Sequence, residues 1–392
     1  MDRDLQLASV ISLGIGMLMA FDITANTAVD ELFSESRESK RQRLKERVGE
    51  LPYMKNLSFR YWNGPQAPLV YQDRYARLIA DPGRQYCKKL THLFDWEILD
   101  LAELMKVEIE IPRSTSWRPR PSNPQGSKRG RPTKADYLSR LCMVLEWLGS
   151  GESGDRAELE YGISKTSIVE DKKHILKAIN KVLQDQISWP DAEERSELCT
   201  NYLGIFAGVV GILDCTEHFV EKSSDQALEN ATFSGKANAN TYKTLAVIDK
   251  TGLFRYMETM VVGKRNDRDM WTSCKLYLER GFYFSEDQCV AADGGFQGDG
   301  PIIYSFDDLT DETRALYNLA FKETRVGVEN AFGRVQLWFP ILGVLLREWT
   351  YDDELLELAI GASFKLHNWI LKNRRLNYDA QNNPLNHFNH LA

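Results

Sequence analysis

Two short apolar runs, Val209-Val210-Gly211-Ile212-Leu213 and Cys289-Val290-Ala291-Ala292, each lead directly into an aspartate, Asp214 and Asp293. Runs this short and this rich in β-branched and small apolar residues read as buried strands. A carboxylate at or near the end of a buried strand is costly unless something pairs with it, so both aspartates need a reason to be there. Gly294-Gly295 after Asp293 permits a tight turn that leaves its carboxylate accessible. Two acids at two strand ends can lie side by side. A third, Glu329, sits on a predicted helix in the segment RVGVENAFGR, with thirty-five residues between it and Asp293.

The surrounding pattern predicts an α/β domain over 200–375. Residues 244–248 and 256–262 read as further strands, 270–280 as a helix, and helical periodicity returns near 314 and again from 324. The 392-residue chain is long enough for additional domains. Residues 1–110 read as a mainly helical region, and 111–135 as a Pro- and Arg-rich linker. Residues 136–190 read as a helix-turn-helix unit, and 376–392 as a polar tail. The apolar run 5–21 follows Met1-Asp2-Arg3-Asp4, which lacks the positive charge of a signal peptide, and it is short for a membrane span. A buried helix is the expectation there, and the charged segment 36–47 reads as a solvated helix. Six cysteines without CxxC spacing suggest reduced thiols in an intracellular protein.

A net charge of −7 excludes a uniformly basic coat, so contact with nucleic acid must come from local clustering. Such a cluster exists: residues 112–140 hold eight basic side chains against one acidic. Within it, Lys128-Arg129-Gly130-Arg131-Pro132 has the composition of an AT-hook, with Arg129 and Arg131 suited to a narrow minor groove; an ordinary basic linker is the plain alternative. In the third helix of the 136–190 unit, Ser164 can cap the first turn. Ile168, Ile175, Leu176, Ile179 and Val182 should face the core. Lys165, Thr166, Lys172 and Lys173 on the other face could meet DNA, or could simply be solvated.

Three carboxylates so arranged suit hard divalent cations, and a metal pair about 4 Å apart is what two-metal phosphoryl chemistry requires. The plain alternatives are a strand-end turn residue for Asp214 and an i,i+4 ion pair with Arg325 for Glu329. Their joint order and spacing favour the metal reading. His218 and His367 are expected to pack rather than to ligate, and Trp338, Trp349 and Trp369 to fill core.

Several ordered blocks resemble a known family. Asp214-Cys215-Thr216 is similar to its first acidic motif, FSGKANANTYKTLAVIDKTG at 233–252 to the following block, and Gly263-Lys264-Arg265-Asn266-Asp267 to its glycine-and-aspartate turn. Ala292-Asp293-Gly294-Gly295-Phe296 resembles the second catalytic motif. Val328-Glu329-Asn330-Ala331-Phe332-Gly333-Arg334, with Phe339 and Leu342, resembles the third. The family is the DDE transposases of the PIF/Harbinger group and their domesticated nuclease relatives, and the resemblance spans roughly residues 205–370. Lys264 departs from the pattern, which has a small residue after the glycine.

The resemblance implies an RNase H-like catalytic core, a mixed sheet flanked by helices, using two Mg²⁺ or Mn²⁺ ions on Asp214, Asp293 and Glu329. It implies cleavage and joining of DNA at transposon ends, with terminal repeats and target DNA as partners, in the nucleus. It also suggests a Myb-like partner protein; bringing two ends together calls for a homo-oligomer, and no membrane association is expected because no apolar run reaches spanning length. Lys236, Lys243, Arg265, Arg325 and Arg334 are candidates for holding substrate phosphates. The alternatives are a DNA-binding regulator that keeps the α/β domain as a scaffold, and an RNase H-like enzyme acting on another nucleic acid.

Overall fold

The computed structural model describes residues 73–80, 85–110, 135–151, 154–200, 206, 208–296, 300–306, 312–343 and 352–382. All of them belong to one compact unit running from Leu69 to Ala392. The predicted helix at 5–21, the charged segment 36–47, Trp349 and the basic linker with Arg129 and Arg131 lie outside the described residues.

Helices α1 (Arg74–Ile79), α2 (Tyr86–Thr91) and α3 (Asp95–Glu110) precede the three-helix unit of α4 (Tyr137–Ser150), α5 (Gly154–Tyr161) and α6 (Lys165–Val182). The apolar stripe of α6 is buried as its period requires: Ile168, Ile175, Leu176 and Ile179 are all fully enclosed. Ser164 stands at the N-cap position of α6, but its hydroxyl bonds to Ser167 rather than to a helix N–H. Helix α7 (Ala192–Thr200) then leads to the sheet.

Strand β1 (Val209–Phe219) is followed by α8 (Gln226–Thr232), β2 (Phe233–Ser234), β3 (Ala239–Ile248) and β4 (Phe254–Val262). Short helices α9 (Asp267–Ser273), α10 (Lys275–Leu278) and α11 (Arg280–Tyr283) precede β5 (Cys289–Ala292) and β6 (Ile302–Ile303). The long helices α12 (Glu312–Trp338) and α13 (Asp353–Asn382) close the fold. Strand β3 pairs antiparallel with β1, β2 and β4, whereas β5 joins the other edge of β1 in parallel and β6 continues in parallel.

Three differences from the sequence reading have physical causes. The single helix expected at 270–280 is broken, because Cys274 and Glu279 leave the helical conformation at the junctions. The two helical patterns near 314 and 324 merge into α12, and α13 continues into the segment expected to be a tail. Strand β1 does not end near Asp214: it runs on to Phe219, because 215–219 keep pairing with β3 after β5 has stopped.

The sheet is covered on both faces. Ile212, Ala246, Phe254 and Ala291 pack with Val328, Phe332 and Val335 of α12 and Phe364 of α13, in one core that extends through α3, α4 and α6. Leu213, Leu245, Val247 and Val290 pack on the opposite face with Met270, Trp271 and Leu276. Gly361 lets α13 approach α6 closely: a Cβ there would lie 2.6 Å from Asn180 Oδ1. Buried Asn368 secures the edge strand, accepting from Phe254 N–H (3.0 Å) and donating to Phe254 C=O (2.8 Å) and Gln186 C=O (2.8 Å). Helix α13 is also tied to α3 by the two bonds from Arg374 to buried Glu97, 2.8 and 2.9 Å.

Both histidines on these elements pack, as expected. His218 is enclosed, with Nε2 2.9 Å from Thr244 Oγ1, and His367 lies against Phe254 and Trp338. Burial holds both neutral, lowering their pKa values from the ordinary 6.5 to about 4 and about 3. The unfolded chain therefore takes up protons below pH 6.5 that the fold refuses, and stability falls as pH drops from there toward about 4. Urea unfolding is expected to lose up to about 1.4 kcal/mol per pH unit for each histidine across that window. His367→Gln should flatten the slope; an unchanged slope would contradict this account.

Candidate functional site

The parallel pairing of β1 with β5 ends at Leu213 and Ala292, and the next residue on each strand is an aspartate. Asp214 and Asp293 therefore emerge together where β1 loses its neighbour. Each carboxylate is steadied by the following backbone N–H: Cys215 donates to Asp214 Oδ1 at 2.8 Å, and Gly294 to Asp293 Oδ1 at 2.9 Å. Asp293 then opens the turn at 294–296, where Phe296 N–H bonds back to its carbonyl.

Helix α12 crosses this opening and supplies Arg325 and, one turn on, Glu329. The Arg325 guanidinium reaches all three acids: Nη1 is 3.0 Å from Asp293 Oδ1, and Nη2 is 3.7 Å from Asp214 Oδ2 and 3.8 Å from Glu329 Oε1. Side-chain exposure rises from 20% at Asp214 to 49% at Asp293 and 63% at Glu329, so the cluster opens outward along α12. Burial raises the pKa of Asp214; the Cys215 N–H and Arg325 oppose that, while Asp293 and Asp267 add to it. Among the described residues, no group of three or more His, Cys, Asp or Glu is arranged to hold a metal ion. The acids are gathered around a guanidinium instead.

Asp267, the first residue of α9, was not among the three sequence candidates, yet it faces this cluster. Its Oδ2 lies 3.0 Å from where a Cβ on Gly295 would stand, so Gly295 makes the close approach possible. The turn that delivers Asp267 is held by Lys243, whose buried ammonium donates to Arg265 C=O at 2.8 Å, and by the Asn266 side chain, which caps α9. The signal was present in the Gly263-to-Asp267 block, but its direction depends on a buried lysine contributed by β3.

The other candidates separate. Lys236 and Arg265 are exposed, Lys243 is buried in the turn just described, and Arg334 lies beside Gly252 at the β3–β4 turn. On α6, Lys165 and Thr166 are exposed at the start of the helix. Lys172, however, is buried with its ammonium 4.4 Å above the Trp147 ring, and Lys173 bridges Asp352 (2.8 Å) and Glu354 (3.0 Å) at the start of α13. Lys172 is thus turned into the fold, whereas Lys173 is part-exposed and ion-paired.

Residues 213–368 match the family model of the DDE superfamily endonucleases. The matched segment begins next to Asp214 and ends within α13, so it contains all three acids, and it supports the DDE endonuclease superfamily. The mixed sheet between two helical layers is an RNase H-like core. No curated protein and no solved structure matches the chain.

Gly263 tests how the site is held. An added Cβ would stand 2.3 Å from Thr241 Oγ1 and 2.4 Å from Thr232 C=O, so Gly263→Ala should cost about 1–3 kcal/mol. Gly235→Ala, with nothing within 4 Å, is the control and should leave the melting temperature unchanged. Equal melting temperatures for both variants would contradict the account of this turn.

Proposed function

We propose that this chain is a divalent-metal-dependent DNA endonuclease of the transposase type, within the PIF/Harbinger group, that cuts and joins DNA at transposon ends. The observation that carries the reading is the convergence of Asp214, Asp293 and Glu329, from two parallel strands and a crossing helix, on a single cation, Arg325. Carboxylate oxygens sharing one cation are a donor set of the right chemistry for Mg²⁺ or Mn²⁺. Two such ions would supply activation of the attacking oxygen and stabilisation of the leaving oxygen in an in-line displacement at phosphorus.

In this reading Asp214 is the fixed ligand, set by β1 and the Cys215 N–H. Asp293 is oriented by Gly294, and Glu329 stands at the open side where a DNA strand would enter. The same constellation serves hydrolysis that frees a 3′-OH and attack of that 3′-OH on target DNA. Arg129 and Arg131 of the linker, with Lys165 and Thr166 at the exposed start of α6, are the DNA contacts assigned here. Nuclear location, assembly into a homo-oligomer that brings two ends together, and a Myb-like partner protein belong to the same proposal.

A second reading, a DNA-binding regulator with the α/β domain as scaffold, draws on one observation: the three acids share an ion-pair partner, Arg325, within the fold itself. Cleavage of a labelled duplex carrying the encoding element's terminal repeats separates the two. Cleavage should require Mg²⁺ or Mn²⁺, cease in EDTA, and fall about 1000-fold or more in Asp293→Asn while DNA binding persists. Equal metal-dependent cleavage by Asp293→Asn would overturn the catalytic assignment; salt-sensitive binding without cleavage by either protein would favour the regulator.

A further inference from the structure

We infer that Arg325 is an exchangeable counter-ion that couples metal binding to DNA binding: it offsets part of the charge of the three carboxylates when metal is absent and passes to a substrate phosphate when metal takes its place. The inference rests on the metal reading above and adds a role for a residue outside the acidic triad.

The geometry is that of a shared, loosely held cation. Of the three contacts, only that to Asp293 is at hydrogen-bond distance, 3.0 Å; those to Asp214 and Glu329, 3.7 and 3.8 Å, are longer. A guanidinium fixed for structural purposes makes two short parallel bonds to one carboxylate, as Arg374 does with Glu97 at 2.8 and 2.9 Å. Arg325 does not. Its Nε has no hydrogen-bond partner among the described residues, although it is buried, and its side chain keeps 24% exposure. The neighbouring Val326 is also exposed, so the α12 surface beside it is open to solvent.

A monovalent guanidinium and a divalent cation cannot occupy the same set of carboxylate oxygens, so metal must displace Arg325 or bind more weakly because of it. Once displaced, the guanidinium has lost the three carboxylates it contacts, and a phosphate of a bound strand presents the oxygen pair its planar fork suits. Because such coupling is reciprocal, DNA must tighten metal binding by the same factor that metal tightens DNA binding.

Isothermal titration of the full chain with Mn²⁺ tests this, with and without a random-sequence duplex, for the wild type, Arg325→Gln, Arg325→Lys and Asp293→Asn. Without DNA, Arg325→Gln should bind Mn²⁺ about tenfold more tightly than the wild type, with Arg325→Lys between them. Its metal-free melting temperature should be lower than that of the wild type, because three carboxylates are then left without a cation. The duplex should tighten Mn²⁺ binding by the wild type and have little effect in Arg325→Gln. Unchanged or weaker Mn²⁺ affinity in Arg325→Gln, alongside loss of binding in Asp293→Asn, would overturn the inference while leaving the metal site standing. Absence of Mn²⁺ binding in both the wild type and Arg325→Gln would overturn the metal reading and the inference together. A variant that lost its folded circular dichroism would leave Arg325→Lys to decide: affinity equal to the wild type would also count against the inference.

Discussion

Everything at the site depends on where the parallel pairing between β1 and β5 stops. The last partners are Leu213 and Ala292, both buried, and one residue further the sheet opens on one side while β1 continues against β3. Carboxyl ends of adjacent parallel strands are where open sheets form crevices, and here each contributes an aspartate. Gathering those acids with Glu329 is unfavourable unless a cation is present, and Arg325 on the same helix as Glu329 supplies one. One guanidinium offsets only part of the charge of three carboxylates, so the site keeps a net negative charge that suits a further cation.

Holding α12 over that opening requires a rigid back wall, and α13 provides it. Asn368 bonds the N–H and C=O of Phe254, fixing the start of the edge strand against α13. Arg374 joins α13 to Glu97 of α3, and Gly361 admits Asn180 of α6. Arg140 pairs with Asp171 at 2.6 Å and donates to Ile109 C=O at 3.0 Å, linking α4, α6 and α3. The three-helix unit read as a DNA-binding element is therefore built into the same hydrophobic core as one face of the sheet.

Much of this was legible in the sequence wherever local pattern decides the outcome. Apolar runs ending in Asp214 and Asp293 marked the two strands, and the spacing of Ile168, Ile175, Leu176 and Ile179 marked the buried face of α6. What depends on partners distant in sequence was not legible. The length of β1 is set by β3, and the burial of Lys172 by Trp147. The direction of Asp267 is set by Lys243 and Gly295. Arg325 could be read as an i,i+4 partner of Glu329 or as a phosphate contact, but not as a partner of Asp293, its shortest contact, which the sheet brings near.

Anomalous diffraction from crystals of the full chain soaked in Mn²⁺ tests the central claim most directly. The account predicts anomalous density bounded by Asp214, Asp293 and Glu329, with the Arg325 guanidinium moved off Asp293. Absence of density there, with Arg325 still bonded to Asp293, would show that these acids form a structural ion-pair cluster and not a metal centre.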